Sequence, residues 1–287
     1  MLKLVILIIY FAVLIGIGLY CRKHATDVNG FVLGGRSVGP WLTAFAYGTS
    51  YFSAVVFVGY AGQFGWRYGI AATWAGIGNA IIGSLLAWVV LGRRTRIMSQ
   101  HLDSATMPQY FGKRFGSNPL KIGASVIIFI FLIPYTASLY NGLSRLFGMA
   151  FNIDYSVCII IMATLTAIYV IAGGYMATAI NDFIQGIIML FGIVAVIAAV
   201  IHSKGGFMSA LQGLANVSDP AVSDTPGIFA SFFGPDPFNL LCVVILTSLG
   251  TWGLPQMVQK FYAIDNEASI QKGTVTVSYT HLRAHET

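Results

Sequence analysis

Two windows of this 287-residue chain bring together residues that could hold a ligand. Tyr47-Gly48-Thr49-Ser50-Tyr51-Phe52-Ser53 sets a glycine among hydroxyls. Thr247-Ser248-Leu249-Gly250-Thr251-Trp252-Gly253, followed by Pro255, does so again. Both lie in apolar surroundings, where an unbroken helix keeps its carbonyls and amides bonded to one another. A turn loosened by glycine or proline frees those groups, and with neighbouring hydroxyls they can surround a ligand. Small residues also serve close helix packing. That simpler reading suffices for Gly59, Gly62, Gly76, Gly78, Gly83 and Ser84, which have no such cluster around them.

The elements that must position these windows follow from composition. The chain is 56% hydrophobic and 9% charged, with only 16 Lys and Arg and 10 Asp and Glu. A soluble domain has about 25% charged residues, so a water-facing surface, a disordered chain and a nucleic-acid module are excluded. A helix needs about 20 apolar residues to cross the hydrocarbon layer. Seven stretches qualify: 2–20, 41–63, 70–92, 122–144, 155–172, 183–201 and 238–258. The first is retained rather than cleaved, because Gly18-Leu19-Tyr20-Cys21 offers no cleavage site and Arg22-Lys23 follow at once. The two windows fall in the second and seventh stretches, five apart, as the first helices of two five-helix inverted repeats should. The expected fold is therefore all-α and membrane-embedded: one leading helix, then inverted repeats with broken helices, the second repeat incomplete.

Charge sets the orientation. With the N-terminus outside, the inner loops hold 12 of the Lys and Arg residues, among them Arg36, Arg96 and Lys260, and the outer segments hold 4. This positive-inside bias accounts for the net charge of +6 without a nucleic-acid partner. In the inner segment 93–121, Thr106-Met107-Pro108-Gln109 opens a short surface helix whose basic face meets lipid headgroups. Asp182 is the acid that borders a span. Gly173-Gly174 ends the fifth stretch, and Asn181 or Asp182 can cap the sixth. Alternatively, Asp182 faces an inner vestibule, where its charge attracts a cation. Enzyme readings find no support: there is no H-E-x-x-H, no phosphate loop and no acid pair within the spans. Cys21, Cys158 and Cys242 lie too far apart in sequence for a C-x-x-C pair and read as small apolar residues.

Three segments resemble the sodium:solute symporter family. They are Phe31-Val-Leu-Gly-Gly-Arg-Ser-Val-Gly-Pro-Trp-Leu-Thr-Ala, Gly173-Gly174-Tyr-Met-Ala-Thr-Ala-Ile-Asn181-Asp182-Phe-Ile-Gln185 and Trp252-Gly-Leu-Pro255-Gln-Met-Val-Gln-Lys-Phe-Tyr-Ala263. The resemblance implies sodium-coupled uptake of a small organic solute (an amino acid, sugar, vitamin or organic acid) through the cell membrane. It also implies sodium held by carbonyls in the broken second helix, at positions matching Thr49 and Phe52, with Ser53 as a nearby hydroxyl. Oxygen ligands of this kind suit a hard cation. The remaining sodium ligands would come from a ninth helix. Arg36 matches an arginine that matters for coupling, and Asp182 an acid on the inner sodium path. Solute contacts in the family come from the second and seventh helices, which makes Tyr51, Thr247, Thr251 and Trp252 candidates. The proline carriers have an aspartate where Tyr51 stands, so neither their sodium chemistry nor their substrate is expected to carry over.

Residues 278–287 (Ser-Tyr-Thr-His-Leu-Arg-Ala-His-Glu-Thr) carry no span pattern and read as a non-native, adaptor-like tail. That leaves 1–277 as a truncated transporter domain. Proton coupling and a membrane sensor that signals onward are the alternatives. A chain without the ninth helix is expected neither to transport nor to bind sodium tightly alone.

Overall fold

The computed structural model describes residues 2–51 and 60–285, and these are almost entirely helical, with two isolated backbone bridges and no strand among them. In chain order the helices are α1 (Leu2–Cys21), α2 (Val28–Leu33), α3 (Pro40–Tyr51), α4 (Ala61–Tyr68), α5 (Thr73–Gly78), α6 (Arg93–His101), α7 (Met107–Phe115), α8 (Asn118–Phe151), α9 (Tyr155–Ser203), α10 (Phe207–Ala215), α11 (Pro237–Gly250), α12 (Pro255–Ala263) and α13 (Glu267–His285). Local sequence explains several of the starts. The Asp27, Thr106, Ser117 and Asp236 side chains accept from first-turn amides, and proline sits in the first turn of α7, α8 and α11. The surface helix expected at Pro108 is therefore α7.

Among the described residues, three helical runs are long and apolar enough to cross a membrane: Ala61–His101, Asn118–Phe151 and Tyr155–Ser203. The pair α11 and α12, bent by 50°, makes a fourth, and Val5–Cys21 is a shorter apolar helix. The first of these runs is irregular. Between α5 and α6 the chain winds in wide π-type turns over Asn79–Leu86 and Trp88–Gly92, a geometry rare in proteins and often found beside functional sites. On α8 the apolar side chains point outward, with Phe129 and Phe131 both about 70% exposed. In a membrane such side chains face lipid.

The stretches 155–172 and 183–201 lie on either side of a kink within α9, at Gly174, whose backbone is non-helical at φ 57° and ψ −150°. Helical winding resumes directly after it. Asn181 and Asp182 therefore lie inside the helix and cap nothing, which corrects the capping expectation. The glycines here are contact points. A Cβ on Gly174 would stand 2.8 Å from the Phe31 carbonyl oxygen, and one on Gly173 would stand 2.7 Å from that of Gly18. Helix α1 lies against α9 at that crossing, backbone to backbone.

The core gathers around α3 and α12. Tyr47, Tyr51, Trp88, Met257, Phe261, Ile264 and Ile270 form one buried cluster, and Tyr47, Trp88 and Phe261 meet at ring distances of 5.2 to 5.8 Å. At one end of the bundle the start of α3 and the end of α12 are joined through backbone. Val38 donates to Ala263 O at 3.3 Å and accepts from Asp265 N at 3.1 Å. Arg96, only 4% exposed, donates from Nε to Ile264 O at 2.6 Å and from Nη2 to Asp265 O at 3.0 Å. A residue counted as an inner-loop charge thus serves as a buried clasp, its guanidinium satisfied by carbonyls.

Candidate functional site

The seventh-stretch window is broken. Helix α11 ends at Gly250, Thr251–Gly253 form a single tight turn, and Leu254 is extended at φ −70° and ψ 124° before α12 starts at Pro255. Proline has no amide proton to continue the ladder, so the chain restarts there in a new direction. In the second-stretch window α3 runs to Tyr51. Phe52 and Ser53, expected at sodium, lie outside the described residues.

The four candidate solute contacts are engaged with their neighbours. The Tyr51 and Thr251 hydroxyls are hydrogen-bonded to each other. Thr251 Oγ1 also reaches Ser248 O at 2.9 Å. Trp252 Nε1 donates to Ile82 O at 3.0 Å, on the π-type stretch. Thr247 donates to Val243 O at 2.8 Å and faces Asn79 Nδ2 at 3.4 Å. Tyr47 donates to Gly83 O at 3.1 Å, and a side chain at Gly83 would collide with the Tyr51 hydroxyl. Together these contacts form a seam joining α3, the wide turns and the α11–α12 break. Gly78 and Gly83 permit the close approach, as their packing reading expected. Replacing Tyr51 with phenylalanine keeps the ring but removes its bond to Thr251, and should cost about 0.5–1.5 kcal/mol. Thermal unfolding of the purified full-length protein reads that loss, and an unchanged midpoint would mean the pair contributes nothing.

Thr49 lies on a different face of α3. Its hydroxyl bonds Phe45 O at 2.9 Å, and it lines a cavity of about 460 Å³ with Ser50, Tyr135, Thr136, Pro255, Gln256 and Gln259. The walls come from α3, α8 and α12, and none of these lining side chains is charged. Gln259 donates to Val32 O at 2.6 Å. Gln256 differs: its Oε1 and Nε2 are both buried and neither has a hydrogen-bond partner among the described residues. An unpaired buried amide is costly, which marks the position as one where a ligand can be recognised.

Asp182 faces the same region from α9. Its Oδ2 lies 3.6 Å from Lys260 Nζ, and the Thr49 hydroxyl is a neighbour of the same carboxylate. The Lys260 side chain is 8% exposed and stands on α12 rather than in a loop, and its Nζ lies 5.1 Å over the Tyr175 ring. Gln185, one helical turn on, donates to the Tyr10 hydroxyl of α1 at 2.6 Å. Arg36 sits apart from this group, at the turn between α2 and α3, where Gly34, Gly35 and Arg36 all have positive φ. For an arginine that conformation is strained. It lets the guanidinium donate from Nη2 to Ser104 O at 3.0 Å and Ser99 O at 3.4 Å. Burial lowers the Arg36 guanidinium from its ordinary pKa, and Asp103 opposes that shift.

Sequence reasoning missed Gln256, Gln259, Lys260, Tyr135 and Thr136 as site residues. The first three lie inside the Trp252–Ala263 segment. The last two adjoin Pro134, a proline inside a span, which was the available signal.

A family model described as the sodium:solute symporter family matches residues 31–281. The chain is 31% identical to the osmoregulated proline transporter OpuE of Bacillus subtilis (strain 168) over 259 residues, covering 89% of this chain and 51% of that protein. It is 32% identical to the sodium/proline symporter of Staphylococcus aureus (strain JH9) over 282 residues, covering 93% of this chain and 51% of that one. The chain thus spans about half the length of the curated relatives it matches. A substrate-bound, outward-open structure of a Na+-coupled sialic acid symporter superposes with a TM-score of 0.75 at 17% identity, over 99% of this chain and 60% of that one. That likeness concerns the fold. With the family model covering most of its length, the chain belongs to the sodium:solute symporter family, whose members are membrane transporters and not enzymes.

Proposed function

We propose that the chain takes part in sodium-coupled uptake of a small organic solute through the cell membrane, with its N-terminus outside and its helices belonging to a fold of one leading helix followed by inverted five-helix repeats. The observation that carries this reading is the α11–α12 break packed against the end of α3. It brings hydroxyls and loosened backbone together inside an apolar bundle, where oxygen ligands suit an alkali cation. In this proposal sodium is held near Thr49, with Phe52 and Ser53 as its further contacts, and Asp182 attracts the ion along its inner path. The solute occupies the cavity between α3, α8 and α12. Tyr51, Thr247, Thr251 and Trp252 form the seam beside the cavity and meet the solute as the seam opens. Arg36 couples this motion to the α6–α7 turn through its two carbonyl bonds.

One charge moving inward down 100 mV releases about 2.3 kcal/mol, enough to accumulate a neutral solute more than tenfold. The test is uptake by intact cells expressing the full-length gene, using a labelled panel of amino acids (proline included), sugars and vitamins. At least one solute should enter in sodium medium and not in choline medium. Uptake that survives sodium replacement but collapses with a protonophore would overturn sodium coupling in favour of protons.

A further inference from the structure

Among the charged groups buried in the bundle, Lys260 is the one whose partner lies next to the proposed sodium position. An ammonium that is 8% exposed among apolar side chains is costly unless it is paired. Asp182 supplies the negative charge at 3.6 Å, and the Tyr175 ring supplies a polarisable face at 5.1 Å. The same carboxylate is faced by the Thr49 hydroxyl from α3. Three helices therefore meet at one carboxylate, and it has only one negative charge to share. A cation arriving beside Thr49 is repelled by Lys260 for as long as the ammonium stays within a few ångströms of Asp182. The pair spans two helices: Asp182 is on α9, and Lys260 rides on α12, which joins α11 through the 50° break at Leu254 and Pro255.

We propose that Lys260 is a tethered counter-ion that exchanges with sodium at Asp182, a displacement carried by α12. The inference rests on the sodium-coupled reading above and adds a competitor built into the chain. When sodium approaches the carboxylate, the ammonium withdraws with its helix. When sodium leaves, the ammonium returns, so Asp182 does not remain an unpaired charge in an apolar setting. Sodium binding is weaker than the site alone would give, and release to the inner side is correspondingly easier.

The test uses purified full-length protein and reads sodium-dependent thermal stabilisation against choline. Lys260→Met should lower the sodium concentration giving half of the stabilisation by tenfold or more. Lys260→Arg keeps the charge and should leave that midpoint within about threefold of wild type, consistent with retained pairing. A Lys260→Met midpoint equal to or above wild type would overturn the exchange. If Lys260→Met does not accumulate, wild-type protein decides: acylation of Lys260 by an amine-reactive reagent, followed by peptide mass spectrometry, should rise severalfold in sodium. Labelling that is unchanged at saturating sodium would overturn the proposal. The two readings fail differently. Wild-type protein indifferent to sodium in both stabilisation and uptake sinks sodium coupling itself, whereas a normal wild-type response with an unshifted Lys260→Met midpoint sinks only the counter-ion.

Discussion

Gly174→Val should leave little folded protein. At φ 57° and ψ −150° the residue occupies a region of backbone space that glycine alone adopts without strain, and forcing a side chain into it costs on the order of 1–3 kcal/mol. The new Cβ would also stand 2.8 Å from the Phe31 carbonyl and 3.1 Å from Phe31 Cα. Those are backbone atoms that cannot swing aside as a side-chain tip can, so overpacking adds about another 1–3 kcal/mol. The sum is a large part of the 5–15 kcal/mol that typically separates folded from unfolded protein. Gly174→Ala should fall between the two, since it meets the same Cβ contacts without the branched bulk. Yields of monodisperse full-length protein after detergent extraction, with its unfolding temperature, measure the series. A valine variant as abundant and as stable as wild type would mean that α9 does not turn at this residue.

The same residue shows how far the sequence could be read. The Gly173-Gly174 pair announces a break, because no other residue type tolerates such a turn. The resumption of the helix beyond that break is not legible: Asn181 and Asp182 have the composition of a helix start although helical winding has already resumed before them. Pro255 is legible for a comparable local reason: proline cannot continue a ladder, and α12 duly begins there. The family can also be read, because its motifs are local strings. Pairings between distant residues cannot. Lys260 counts as a loop charge in the sequence because its partner, Asp182, belongs to another helix and only packing brings the two together. Tyr51 and Thr251 stand separately as candidate solute contacts, and no spacing rule indicates that their hydroxyls meet. Arg96 likewise shows its charge in the sequence but not the two carbonyls it clasps. Local backbone chemistry is thus written along the chain, whereas the site is a property of which helix faces meet.

Gln256 yields the prediction in which stability and function should move in opposite directions. Its amide oxygen and nitrogen are buried without a partner among the described residues, and it lines the cavity between α3, α8 and α12. Each such group costs on the order of 1–3 kcal/mol when left unpaired. Gln256→Leu keeps a similar length and removes both polar atoms, so the purified full-length protein should unfold at the same temperature or higher. The solute loses a donor and an acceptor together. At about 1 kcal/mol for each neutral hydrogen bond, the concentration giving half-maximal uptake should rise roughly thirtyfold. The sodium concentration giving half-maximal stabilisation should barely change, because the cation is assigned to Thr49 and Asp182. A residue that only filled space would show the reverse, with lower stability and an unchanged uptake affinity, and that result would remove Gln256 from the solute site. Trading stability for recognition in this way is expected where a binding group is held ready for a ligand, and the opposed signs separate that role from packing in a single variant.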